Sequence, residues 1–152
     1  MPANTIVVAA DGSDVALAAA SAGMALLRPA ERVVVVTVIE AEDFSTVTGS
    51  GHAGGVMSPQ EFDALDARME ADGWTVVEQT AAVLSVEGVE LLVRRGDPGP
   101  ALCALADELS AQAIVMGSRG RGGFKRALLG SVSDYVVRNA PCTVIITRPN
   151  TQ

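Results

Sequence analysis

Residues 32–39, "RVVVVTVI", form an apolar run dominated by β-branched side chains, with no alternation of polar and apolar positions. Such side chains are stiff about χ1 and suit a pleated strand. A strand with one wet face alternates, whereas an unbroken apolar strand needs cover on both faces. That environment is a parallel sheet between layers of helices. Four shorter runs, "TIVVAA" (5–10), "VELLV" (89–93), "AIVM" (113–116) and "TVII" (143–146), are of the same kind. Hydrophobic residues make up 49% of the chain but aromatics only 3%, so the core must be built from Val, Ala, Leu and Ile.

Helical signals fill the gaps between these runs. Residues 14–28 follow Ser13 as an N-cap and stop before Pro29. "SPQE" at 58–61 is a capping box with proline at the first helical position. From there Phe62, Leu65, Met69, Gly73, Val76, Thr80 and Val83 recur every three or four residues and mark a core-facing stripe. Asp63, Asp66, Glu70, Asp72 and Glu78 lie mostly off that stripe and read as a solvated face, with Trp74 read as packing. Asp97 and Pro98 open a third helix over "ALCALADEL", and a fourth starts after Ser131 and ends near Asn139, ahead of Pro141. The order β-α-β-α-β-α-β-α-β predicts an α/β fold with three layers: an open, parallel, five-stranded sheet with helices on both faces. No linker-like composition or repeat interrupts it, so residues 1–152 are expected to form one domain.

Several function classes fall away. No apolar run approaches the roughly 20 residues of a membrane span, and the N-terminus lacks the basic and apolar segments of a secretory signal. Cys103 and Cys142 sit among small or apolar neighbours and read as buried free thiols of a reducing, cytoplasmic compartment. A net charge of −7 argues against nucleic acid as a partner. The polar, glycine-rich stretch between Glu40 and Met57 is too long for a simple connection and reads as a disordered loop or a lid. Its His52, the only histidine, reads as solvated.

Against this acidic background, "GSRGRGGFKRALLGS" (117–131) carries five glycines and four of the eleven basic residues: Arg119, Arg121, Lys125 and Arg126. Glycine lets another molecule approach the main chain closely, and the cations point to concentrated negative charge, phosphate first. The stretch follows the fourth strand, at the carboxyl edge where open α/β sheets bind ligands. Gly117, two residues, Gly120, nine residues, Gly130 and then Ser131 at a helix start would form a backbone cradle. The hydroxyls of Ser131 and Ser133 would add donors. No G-x-x-x-x-G-K-[ST] occurs, and no G-x-G-x-x-G follows the first strand, which sets aside P-loop and dinucleotide sites. Asp11, in "AADGS", reads either as an acid favoured by the helix dipole or as a ligand neighbour. The glycine stretch itself can also be read as a surface loop with solvated arginines.

The spacing G-2x-G-9x-G-[ST], together with the early "DGS", resembles the nucleotide-binding branch of the universal stress protein family. The likeness runs through "VVAADGSDVALAAASAG", "VVVVTVIE", "RRGDPGPALCALADEL" and "IVMGSRGRGGFKRALLGSVSDYVVRNAPCTVIITR". It implies a Rossmann-like fold of the adenine nucleotide alpha hydrolase type, with ATP, with or without Mg2+, as the bound cofactor. On this resemblance Asp11 lies beside the ribose or adenine, and Val38 offers backbone hydrogen bonds to the adenine edge. Met116 and Gly117 floor the site; Gly120, Gly130, Ser131, Val132 and Ser133 hold phosphates, and Arg119 pairs with one. Gly96 and Asp97 would stand near the pocket at the exit of the third strand. Gln112 and Thr143 depart from the family pattern, which often has an acid and a proline there, but neither touches the implied pocket. The resemblance further implies a homodimer built through the last strand and a regulatory role in the stress response. Fast hydrolysis needs a metal-held phosphate and an oriented water, and the sequence shows no carboxylate pair beside the glycine loop to supply them. A slow ATPase, a sensor of AMP or a cyclic nucleotide, and a ligand-free interaction module remain open.

Overall fold

The structure, a computed structural model, describes residues 3–41, 57–118 and 129–148. Nine elements alternate along them: β1 (Thr5–Ala9), α1 (Asp14–Leu26), β2 (Arg32–Ile39), α2 (Pro59–Leu84), β3 (Glu90–Arg95), α3 (Pro98–Glu108), β4 (Ala113–Gly117), α4 (Ser131–Asn139) and β5 (Thr143–Thr147). The strands form a sheet in the order β3-β2-β1-β4-β5, and every pairing is parallel.

The apolar runs do what their lack of alternation requires. Ile6, Val8, Val33, Val35 and Val115 pack with Ala20 of α1 and with Val77 and Leu84 of α2 on one face. Val7, Val36, Ile114 and Met116 pack with Leu102, Leu105 and Ala106 of α3 and Val136 of α4 on the other. Helix α1 comes so close to the sheet that a Cβ on Gly23 would run into Cγ1 of Val115.

The caps are the expected ones. Ser13 Oγ accepts the N–H of Ala16 at 3.1 Å. Ser58 Oγ accepts from Glu61 N at 3.2 Å, while Glu61 Oε2 accepts from Ser58 N at 2.8 Å. Three expectations need correction. Helix α1 ends at Leu26 rather than residue 28: Leu27 is already extended at ψ 154°, and Arg28, before Pro29, is disfavoured in helical geometry. The core stripe of α2 runs through Gly73, Val77, Thr80 and Leu84, so Val83 is 44% exposed. Trp74 is 40% exposed rather than packed inside. Strand β3 also outlasts its apolar run: Arg95 bonds Asp66 and Glu70 of α2, and Arg94 bonds Glu108 of α3.

The chain steps outward from β1 through β2 to β3, then returns to place β4 on the other side of β1. That reversal opens a crevice beyond the carboxyl ends of β1 and β4.

Candidate ligand-binding site

A cavity of about 1160 Å3 occupies this crevice, larger than the roughly 300–1,000 Å3 common for small-molecule sites. Eight of the ten residues expected at a site line it: Asp11, Val38, Met116, Gly117, Gly130, Ser131, Val132 and Ser133. Arg119 and Gly120 lie outside the described residues, as do Arg121, Lys125, Arg126 and His52. Gly96 and Asp97 stand just short of the cavity, which Pro98 reaches.

One end of the cavity is the start of α4. Its N-cap, Gly130, has no side chain, and no side-chain hydrogen bond caps the helix. The first amides of any helix lack intrahelical acceptors, and those of Ser131, Val132 and Ser133 have no protein acceptor among the described residues. They supply three donors at the positive end of a helix dipole. The turn is held from behind by the carbonyl of Ser118, which accepts the N–H of Gly130 at 2.7 Å and the hydroxyl of Ser133 at 2.8 Å.

A second edge is the end of β2. Val36 O accepts from Ala10 N at 2.8 Å toward β1, and Ile39 O accepts from Gly96 N at 3.0 Å toward β3. Strand groups alternate in direction, so the N–H and C=O of Val38 face the β1 side, beyond the last ladder bond. Neither has a protein partner among the described residues.

Asp11 bridges the cap of α1 and the cavity wall. Its Oδ1 accepts from Ser13 N at 2.9 Å and Ser13 Oγ at 2.5 Å, which steadies the cap of α1. Its Oδ2 has no donor among the described residues, and the residue lines the cavity. The turn depends on Gly12 at φ 80°, a conformation that a Cβ disfavours. Gly117 is bare for a packing reason as well: a Cβ there would lie 3.0 Å from Val15 Cγ1 and 3.4 Å from Val15 O.

The sequence reading missed the wall supplied by α2. Met69, Asp72, Thr75, Val76 and Gln79 all line the cavity, so Asp72 is more than part of a solvated face. The available signal was Gly73, whose missing Cβ would sit 3.1 Å from Val93 Cγ1 and 3.4 Å from Thr37 Cγ2. That glycine lays the helix against β2 and β3 and turns its neighbours toward the crevice. The described lining charges are Asp11, Glu40 and Asp72, all carboxylates. No three metal-capable side chains converge among the described residues. The two free cysteines, Cys103 and Cys142, are half-buried off the cavity. Burial pushes both thiols up, and Cys142 is raised further by the charge of a neighbouring Cys103. No helix of the described residues is long and apolar enough to cross a membrane.

Fold and crevice together define a doubly wound α/β protein with an open cleft at the topological switch point. The model of the universal stress protein family matches residues 2–148, and the chain belongs to that family. It is 31% identical over 148 residues to universal stress protein YxiE of Bacillus subtilis, covering 95% of this chain and 99% of the relative. A Thermus aquaticus universal stress protein is 33% identical over 147 residues, covering 95% and 98%. Among solved structures, hypothetical protein MJ0577 superposes over the whole of both chains with a TM-score of 0.77 at 22% identity. A universal stress protein in complex with cAMP gives 0.63 at 23% identity, covering 97% of this chain and 98% of that one. An Arabidopsis thaliana family member with AMP bound gives 0.62 at 18%, covering 97% and 93%.

Proposed function

We propose that this protein binds an adenine nucleotide, ATP foremost, in the switch-point cavity, and acts as a regulatory protein of the stress response rather than a fast enzyme. The observation that carries the reading is the pairing of two unsatisfied backbone edges in one cavity. Among the described residues, three amides have no acceptor at the start of α4, and the N–H and C=O of Val38 have no partner. The amides suit phosphate oxygens. The N–H and C=O of Val38 suit an adenine edge, which sets an acceptor nitrogen beside an amino donor. Asp11, whose Oδ2 has no donor among the described residues, suits a ribose hydroxyl; Met116 and Gly117 would supply the floor. Gly120 and the Arg119 guanidinium would complete the phosphate cradle. Mg2+ bound with the nucleotide would rest mainly on phosphate oxygens and water. Relatives of the same fold solved with cAMP and with AMP support the ligand class.

Calorimetric competition among ATP, AMP and cyclic AMP tests this, alongside mass spectrometry of small molecules released when the purified protein is denatured. ATP should bind best and should co-purify; failure of all three to bind at millimolar concentration would refute the reading. A weaker second reading, AMP or a cyclic nucleotide as the ligand, has one observation in its favour. The described lining charges are all carboxylates, which repel a triphosphate more than a monophosphate. The order of affinities decides.

The homodimer is proposed through β5, which forms one edge of the sheet and, among the described residues, has no partner strand on its outer side. Light scattering at micromolar concentration should give twice the chain mass.

A further inference from the structure

The resemblance makes Ser133 a phosphate ligand; the structure gives its hydroxyl other work. Ser133 is 2% exposed and Ser118 is 1% exposed, so both must find partners within the protein. Ser133 Oγ lies 2.8 Å from Ser118 O and 3.0 Å from Gly130 O. A hydroxyl has one proton, and Gly130 O already accepts the N–H of Asp134 at 2.9 Å. Each of the two carbonyls thus takes one N–H, so the shorter contact decides: the proton goes to Ser118 O, which also accepts Gly130 N–H at 2.7 Å. Ser118 is itself anchored, its N–H donating to Thr147 O of β5 at 3.0 Å. One carbonyl at the exit of β4 thus grips the first turn of α4 at two points, and no side-chain cap competes for that turn.

We infer that Ser133 is a positioning residue: its hydroxyl does not reach the ligand but locks α4 to β4, so that the amides of Ser131, Val132 and Ser133 are aimed into the cavity before an anion arrives. This rests on the nucleotide-binding reading, and it goes further by separating the residue that aims the donors from the donors themselves. Preorganised donors bind an anion without the cost of ordering them at that moment, so a loosened turn should weaken phosphate binding and leave base and ribose contacts intact.

The test compares Ser133→Ala and the near-isosteric Ser133→Cys, whose thiol is a weak donor, with the unaltered protein. ATP and adenosine are titrated by calorimetry, and amide hydrogen exchange is followed without ligand. Losing one buried hydrogen bond should weaken ATP binding about fivefold to tenfold in the alanine variant. The cysteine variant should be affected less, and adenosine should change by less than about twofold. Exchange at Gly130 should quicken in both ligand-free variants. Unaltered ATP affinity in Ser133→Ala, or equal losses for ATP and adenosine, would overturn the positioning role. Should the unaltered protein bind no ATP at all, the nucleotide reading fails, and the clamp is then judged by exchange alone: unchanged exchange at Gly130 refutes it, and faster exchange upholds it. Should Ser133→Ala fail to fold, Ser133→Cys supplies the same comparison.

Discussion

Placing an acid at the N-cap of α4 should stabilise the protein and sharply weaken its grip on phosphate. Gly130 sits at φ −74°, ψ 168°, extended backbone that any residue adopts, so Gly130→Asp strains nothing locally. An N-cap carboxylate accepts from the amides of the first turn and gains a few tenths of a kcal/mol over glycine. The helix dipole adds about 0.3–1 kcal/mol. For a chain of 152 residues, a gain of about 1 kcal/mol raises Tm by roughly 2–4 °C. Binding moves the other way. A carboxylate about 4 Å from a phosphate oxygen repels it by about 4 kcal/mol at an effective dielectric of 20, and salt reduces that to about 2. ATP affinity should therefore fall roughly 30- to 1,000-fold, while adenosine affinity stays within about threefold. Gly130→Ser separates the two effects: a neutral cap occupies an amide without repulsion and should cost about fivefold. Thermal unfolding and calorimetry on the three proteins read both signs. A Gly130→Asp protein with raised Tm and undiminished ATP affinity would refute the assignment of phosphate to these amides.

Two further outcomes follow from packing and charge. Gly23→Ala gains about 1 kcal/mol of helix propensity, but its Cβ meets Val115, fully buried in β4, at overpacking costs of about 1–3 kcal/mol; the urea midpoint should fall, and the same change made in a Val115→Ala background should lower that background's midpoint by less. The Arg32 guanidinium, bonded to Glu90 at 2.7 and 2.8 Å, holds that carboxyl below its ordinary range. Its stabilisation is therefore present at neutral pH and lost as pH falls through the depressed value, so a Glu90→Gln variant should trail at pH 7 and draw level in acid, with salt narrowing the gap.

The buried strands were legible because continuous β-branched runs admit few alternatives: β2 occupies 32–39 as read from its composition. Strand β3 was harder, since Arg94 and Arg95 continue it through ion pairs to the neighbouring helices that no local pattern announces. The α2 stripe was read at Val76 and Val83, whereas the structure buries Val77 and Leu84 beside the correctly read Gly73 and Thr80, because spacing alone does not order steps of three and four residues. At the site, backbone donors were legible from glycine spacing and the helix start. Partners across the chain were not. That Ser133 would bond a carbonyl fifteen residues earlier depends on how β4 and α4 meet, and the cavity wall from Asp72 and Gln79 depends on how far Gly73 lets α2 descend.

The most direct measurement is a 15N-resolved NMR titration of the full chain with ATP. Phosphate gripped by main-chain donors requires the amide protons of Ser131, Val132 and Ser133 to move downfield together and saturably, with Val38 shifting in step. Saturable binding that leaves those four amides unmoved would contradict it.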